Sequence, residues 1–333
     1  MPIGDLSTLL VWGAVTAYAI ALVAYSTALA RVADASARTQ RRPVAVGAGA
    51  AEITTAESTI AAPGRAAGIA RSTATLATAL LLCGVVLRGV AAGRWPTANM
   101  YEFTIVGILV AAVVFLAVRR TRMLPFVGVL VTGIAVLSLV VALNSFYLRA
   151  DAVQPALQSY WLVIHVSIAI AATGIFTVAF ATSVLQVLQD SRESGRSRLD
   201  RPWRVGDELR RSLRRWRITG PSWLWLRTVP SAVRLEALSF RLNAIAFVLW
   251  TLTLIGGAIW AEQAWGRYWG WDPKEVATFV AWVVYAAYLH ARTTRGWQGR
   301  RAAYLVYVGY AVVIANFTVV NLFVNGKHSY SGI

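Results

Sequence analysis

The residues of this chain best suited to chemistry are its histidines and one run of aromatic residues. His165, His290 and His328 are the only histidines among 333 residues. The run WGRYWGWDPKE, Trp265 to Glu275, places four aromatic rings within seven positions. Imidazole nitrogens are common metal ligands, and aromatic rings pack well against flat apolar groups. The histidines and the aromatic run are therefore the candidate ligand-binding residues. Whether they can form one site depends on where the chain places them.

The composition predicts an integral membrane protein. The chain is 57% hydrophobic, 14% charged and contains 14 tryptophans, which lies outside the range of ordinary soluble domains. A helix of about 20 apolar residues spans the roughly 30 Å hydrocarbon layer. We predict an all-α, polytopic membrane helix bundle with about eight transmembrane helices, near 8–30, 73–92, 103–118, 124–147, 160–185, 239–261, 275–291 and 302–324. No basic segment precedes the first stretch, so we do not expect it to be a cleaved signal peptide.

The basic residues predict the orientation of the bundle. The net charge is +17, and 25 of the 32 Lys and Arg fall in four segments: six in 31–71, three in 119–122, twelve in 190–236 and four in 292–301. These segments alternate with nearly charge-free ones, as the positive-inside rule requires of cytoplasmic loops. Both termini and the aromatic run are then on the outer side of the cell membrane. Because the basic residues are accounted for by loops on the cytoplasmic side of the membrane, we expect no nucleic-acid partner.

The chain divides into five predicted regions. Residues 1–30 form the first transmembrane helix, and 31–71, rich in Ala, Gly, Thr and Arg, form a flexible cytoplasmic linker. Residues 72–189 hold helices two to five with the first outer histidine, and 237–333 hold the aromatic run with helices six to eight. Segment 190–236 interleaves arginines with tryptophans, which is typical of a helix lying on anionic membrane lipids. Docking of a partner remains the alternative for that segment.

The histidines are predicted to lie at two depths. His165 is about five residues into the fifth apolar stretch, so it lies roughly 8 Å below the outer boundary, and His328 follows the last stretch on the same side. His290 is seventeen residues after Pro273 and lies about 26 Å lower, near the cytoplasmic face. An ionisable residue within a membrane helix is a functional candidate. A histidine so close to the interface also hydrogen-bonds water readily, which is the plainer interpretation of His290.

The aromatic run has two parts. Asp272, Pro273 and Glu275 predict a helix start, with Asp as N-cap and Glu three residues later in a capping box. Interfacial belts account for one or two rings at a helix end, but not for four. The rings that remain unexplained are Trp265, Tyr268, Trp269 and Trp271. In the outer loop from Gly93 to Thr104, Trp95 and Tyr101 fit the belt interpretation. Glu102 in that loop fits a partner for a helix dipole.

Two outer histidines beside a cluster of rings suit a flat, metal-centred macrocycle whose iron takes two imidazoles. Haem fits that description. Zinc fits less well, because three histidines divided between two membrane faces leave no closed set of ligands. The only cysteine, Cys83, allows no Cys-x-x-Cys-His attachment site, so a bound haem would not be covalently held. The inner histidine would lack a second ligand within this chain.

The aromatic run and the helix after it resemble a known signature. WGRYWGWDPKE followed by AWVVYAAYLHAR is similar to the tryptophan-rich WWD motif and next helix of the CcsA/ResC family of cytochrome c biogenesis proteins, in the superfamily that includes haem exporter protein C. PTANMYEF at 96–103, PALQSYWLVIHV at 155–166 and GKHSY at 326–330 resemble the same family. The resemblance covers roughly 75–185 and 240–333, but not 1–70 or 190–236.

The resemblance implies a haem-handling subunit of a cytochrome c synthase complex. Such a subunit works with a CcsB/ResB-type membrane protein, brings haem b to the outer face and presents it for attachment to Cys-x-x-Cys-His of apocytochrome c, whose thiols a thioredoxin-like protein keeps reduced. His165 and His328 would ligate the outer haem, and His290 an inner haem whose second ligand lies on the partner. The remaining implied haem-binding residues are Trp265, Tyr268, Trp269, Trp271 and Asp272.

Two other functions remain open from the sequence. A haem or small-molecule exporter without synthase activity would share these features. Some lipid-linked glycosyltransferases also carry a Trp-Trp-Asp signature, but that chemistry needs acidic metal ligands and a sizeable outer domain, and this chain has few outer acids.

Overall fold

The computed structural model describes residues 1–41, 65–118, 124–150, 159–202 and 206–328, and it confirms an all-α membrane bundle without strands in those residues. The chain alternates long helices with short connections. In order, the helices are α1 (Ile3–Arg41), α2 (Arg65–Ala92), α3 (Met100–Val118), α4 (Leu124–Ser145), α5 (Tyr160–Glu193), α6 (Asp207–Leu213), α7 (Ala232–Trp265), α8 (Pro273–Thr294), α9 (Arg300–Phe317) and α10 (Val319–Phe323).

Seven segments of the described chain are long and apolar enough to cross a membrane. They are Ile3–Arg31 of α1, α2, α3, Phe126–Ser145 of α4, α5, α7, and α9 continued through α10. The remaining predicted span, 275–291, corresponds to α8, whose 22 residues extend about 33 Å. Its tyrosines, histidine and terminal charges make α8 less apolar than the other seven, so its crossing stays a prediction.

The predicted linker 31–71 is helical at both of its ends. At the predicted linker 31–71, α1 continues to Arg41 and α2 begins at Arg65. These ends are helical because their Ala-rich sequences extend the neighbouring spans without a proline. Residues 42–64, the rest of the predicted linker, lie outside the described residues.

Segment 190–236 is not one surface-lying helix. It contains the end of α5, short α6, 3₁₀ turns and the start of α7. Pro202, Gly206, Pro221 and Pro230 interrupt it, since proline removes a backbone donor and Gly206 adopts φ +78°. Part of the segment packs on the bundle, because Trp225 stacks on Phe126 of α4 with ring centroids 4.8 Å apart. The arginines therefore flank a folded connector, at least along this part.

The second half of the bundle forms the frame around the candidate site. Phe176 of α5 stacks on Tyr285 of α8 at 3.9 Å, and both side chains are fully buried. Tyr285 in turn lies against Gly309 of α9, where an added Cβ would lie 2.9 Å from its ring. Close packing over small residues is a usual way for membrane helices to associate. These contacts hold α5, α8 and α9 in fixed positions, and α7 packs along α5.

Candidate ligand-binding cavity

A cavity of about 190 Å³ lies where one end of five helices meets. Its walls come from the start of α3 and the residues before it, the first half of α5, the second half of α7, the start of α8 and the end of α9, with His328 beyond α10. The side chains that matter for its chemistry are His165, Trp260, Tyr268, Trp269, Lys274 and His328. The structure thus brings together two of the three histidines.

His165 of α5 is oriented by α7. Its Nδ1 lies 2.9 Å from the carbonyl oxygen of Thr253. A carbonyl oxygen only accepts, so Nδ1 carries the proton, and in the neutral ring Nε2 keeps its lone pair. Gly257 makes room for the imidazole, because a Cβ there would lie 2.7 Å from His165 Cε1. This arrangement leaves the lone pair of Nε2 without a partner on Thr253 and available to a ligand.

His328 is oriented by Asp272 in a similar way. Its Nδ1 lies 2.7 Å from Asp272 Oδ2, an ionised acceptor, so Nδ1 donates and Nε2 is left for a ligand. The same carboxylate accepts the backbone N–H of Lys274 at 3.1 Å, and Glu275 completes the capping box. The predicted helix start is confirmed. Asp272 therefore caps α8 and holds an imidazole with one side chain.

The protonation of Asp272 follows from these bonds. Burial by itself raises the pKa of this carboxyl, but hydrogen bonds from His328 and from the Lys327 backbone outweigh burial and lower the pKa to about 2. Gly326 permits the close approach of that backbone, since a Cβ there would lie 2.6 Å from Asp272 Oδ1. Asp272 is consequently a carboxylate at neutral pH.

Trp260 of α7 packs near both histidines. Its ring centroid is 6.3 Å from that of His165, nearly parallel at 11°, and 5.7 Å from that of His328. Trp265 contacts both Trp260 and His328, at 4.8 and 5.2 Å. The sequence interpretation missed Trp260, because one tryptophan near the end of an apolar stretch resembles a belt residue. Its position five residues before Trp265 was the available signal.

The predicted aromatic residues do not all reach the cavity. Tyr268 and Trp269 line it, and Trp265 packs on His328. Trp271 is 78% exposed and contacts Trp269 edge-on at 5.9 Å. Its φ of +57° is uncommon for a residue with a side chain.

His290 is not part of this cavity. It is exposed near the far end of α8, about 26 Å along the helix from Pro273.

A buried charge cluster holds the wall contributed by residues 97–100. Glu102 is fully buried and binds Arg88 Nε at 3.0 Å and Arg94 at 2.7 Å. Its carboxylate also accepts the backbone N–H of Ala98 at 2.9 Å, and the Asn99 side chain caps the helix by accepting the Glu102 N–H. Glu102 thus does more than face a helix dipole, because it ties the loop to α2 and α3.

The bundle and its cavity define a multi-pass membrane protein with paired imidazoles in an aromatic pocket. Residues 95–328 match the cytochrome c assembly protein family, and the chain belongs to that family. Cytochrome c biogenesis protein CcsA of Prochlorococcus marinus is 34% identical over 76% of this chain and 81% of its own length. The CcsA of Parasynechococcus marenigrum is 35% identical over 79% of this chain and 86% of its own.

A solved structure, the cytochrome c haem lyase CcmF, has a similar fold. The TM-score is 0.62 at 16% identity, over 95% of this chain and 47% of CcmF. The chain thus spans about half the length of that protein. At this identity the likeness concerns the fold.

Proposed function

We propose that this chain is the haem-handling membrane subunit of a cytochrome c synthase complex. The observation that carries the proposal is the pairing of His165 and His328 in one cavity, each with Nδ1 bonded to an acceptor and Nε2 left as a ligand. Bis-imidazole ligation is a common way for proteins to hold haem iron. The family of the chain supports it, since cytochrome c carries covalent haem.

The walls suit the faces of a porphyrin as well as its metal. Trp260 and Trp265 pack beside the imidazoles, and Tyr268 and Trp269 extend the aromatic surface. Flat apolar rings favour stacking on a flat apolar ligand. The substrate we propose is haem b, held without covalent bonds, with Asp272 fixing the tautomer of His328. The exposed Trp271 extends this surface outside the cavity.

The chemistry assigned to the complex is thioether formation. A cysteine thiol of apocytochrome c adds across a haem vinyl group: the S–H bond and the vinyl π bond are consumed, C–S and C–H bonds form, and nothing leaves. Within this scheme the chain positions haem and protects the iron until the histidine of the apocytochrome motif replaces one imidazole. A thioredoxin-like protein keeps the cysteine thiols of apocytochrome c reduced.

The proposed orientation places the cavity on the outer face of the cell membrane, with both termini on that side. It rests on the basic residues, which concentrate at the helix ends away from the cavity, among them Arg192, Arg292 and Arg300. His290 lies toward that basic end and is exposed. It is free to join a histidine of a CcsB/ResB-type partner in an inner haem site.

Substitution of the cavity histidines tests the proposal. After haem is added to the purified complex in a His290→Ala background, which removes the inner signal, His165→Ala or His328→Ala should abolish bis-histidine absorption. With His290 present, either substitution should abolish cytochrome c assembly in cells. The matched control is Trp12→Phe, at an exposed position on α1. Unchanged spectra together with unchanged assembly would refute the ligand assignment.

A second experiment separates synthesis from export. The chain with its partner should yield covalent cytochrome c, and either protein alone should yield none. Haem released on the outer side without covalent product would favour the exporter instead.

A further inference from the structure

One charged side chain of the cavity has no part in binding iron. Lys274 in the first turn of α8 lines the same space as His165 and His328. We propose that its ammonium binds a carboxylate of the ligand, a haem propionate, and so fixes the rotation of the macrocycle about the axis through the two imidazoles. This inference rests on the proposed function and adds a recognition residue to it.

The surroundings of Lys274 leave one donor for a ligand. Its Nζ donates to the backbone oxygen of Asn316 at 2.9 Å and to Asn321 Oδ1 at 2.8 Å. Both acceptors are neutral, and an ammonium has three donors. Lysine is rarely buried unless it is paired, so a partly buried ammonium held by two neutral oxygens is suited to receive an anion.

The acids near Lys274 are engaged elsewhere. Glu275 also lines the cavity, but its Oε2 accepts the backbone N–H groups of Gly270 at 2.8 Å and Asp272 at 3.1 Å. The Asp272 oxygens accept from His328 and from the backbone N–H groups of Lys274 and Lys327. Among the described residues that line the cavity, Lys274 is the one Lys or Arg.

One buried donor at the cavity also suits an anionic ligand. Trp260 Nε1 has no hydrogen-bond partner within the described part of the chain, and Trp260 lines the cavity. Buried polar groups without partners are uncommon in proteins. A carboxylate accepts from an indole N–H as well as from an ammonium, so a ligand carrying carboxylates can satisfy Trp260 and Lys274.

Such a contact has a consequence for the reaction. Two axial imidazoles fix the iron but allow the porphyrin to turn about the axis between them. Haem carries its propionates on one edge and its vinyl groups toward the opposite edge. A propionate bound at Lys274 therefore directs the vinyl groups away from the start of α8. Incoming thiols must then reach the vinyl groups on the side of the cavity opposite Lys274.

The test compares haem with its dimethyl ester, whose propionates are uncharged. Each is titrated into the purified complex in the His290→Ala background, and bis-histidine absorption gives the dissociation constant. The wild-type cavity should bind the acid about tenfold more tightly than the ester, the size expected of one charged hydrogen bond. Lys274→Met should bind both ligands alike, and Lys274→Arg should restore part of the preference. The ratio within one variant does not depend on how much protein is folded.

The matched control is Lys327→Met, because the chain has only two lysines. Lys327 Nζ lies 5.2 Å from the Trp265 ring, next to His328, and its removal should leave the acid-to-ester ratio unchanged. Equal binding of acid and ester by the wild type would overturn the inference, as would a ratio that collapses in Lys327→Met but not in Lys274→Met. Absence of any bis-histidine absorption in the wild type would instead count against the proposed function.

Discussion

The imidazoles of His165 and His328 depend on residues that carry no chemistry of their own. The His165 ring is oriented by the carbonyl oxygen of Thr253 and fits in the space left by Gly257. The His328 ring is oriented by the carboxylate of Asp272, which also caps α8. The sequence predicted both histidines because so few exist and both fall beside the aromatic run. It did not predict Thr253 or Gly257, since a carbonyl acceptor and a missing Cβ matter only once α5 and α7 are packed together.

Gly257→Ala should weaken haem binding at the cavity. Its methyl group would meet the His165 ring at 2.7 Å, so the imidazole must move away from Thr253 and from its ligating position. Loss of a hydrogen bond that orients a metal-ligating histidine typically costs 10- to 100-fold in metal affinity. The measurement is a haem titration followed by absorption.

Gly256→Ala is the control for that substitution. A Cβ at Gly256 lies 3.7 Å from the nearest His165 atoms, an ordinary contact, so affinity should remain close to wild type. Equal affinities in the two alanine variants would contradict the packing argument.

Helices could be predicted from the sequence where the signal for each helix lies within its own residues. Hydropathy identified the long helices, and the Asp-Pro-x-Glu pattern identified the start of α8, because both signals are local. The continuation of α1 to Arg41 was missed, since the extension lacks apolar periodicity. The break-up of 190–236 was also missed, although its prolines were visible. The cavity itself needs five helix ends, and no local pattern specifies how those ends meet.

Glu102→Gln should destabilise the outer part of α2 and α3. It leaves the guanidinium of Arg88, which is 1% exposed, without its anionic partner. Breaking one side of a buried ion pair costs about 3–5 kcal/mol. Thermal unfolding of the purified protein should show a clearly lower midpoint.

Glu262→Gln makes the same chemical change at an exposed position of α7 and should leave the midpoint nearly unchanged. If both variants unfold at the same temperature, the Glu102 cluster does not carry the stability assigned to it.

At the scale of the whole molecule, the bundle separates two proposed haem sites by the length of α8. His290 and the cavity share this helix but no described contact. The sequence predicted the separation, because counting residues along one continuous helix suffices. The composition of the inner site stays a prediction, since its second ligand would belong to another protein.

His290→Ala should reduce haem in the cavity of protein purified from cells if, as we propose, haem reaches the cavity from the inner site at His290. Haem added afterwards should restore bis-histidine absorption, since the cavity is intact. Thr293→Ala, one turn away, serves as the control and should retain its haem. A cavity that stays empty after haem is added would show that His290 acts on the cavity structure and not on delivery.

Asp272 connects the start of α8 with the position of the His328 imidazole. Its carboxylate holds the first turn of α8 and the imidazole of His328 at the same time. A change that draws His328 away would remove one of the hydrogen bonds that hold Asp272 at the start of α8, the turn that also carries Lys274. Under the proposed function, replacement of His328 at the iron would therefore also act on the first turn of this helix.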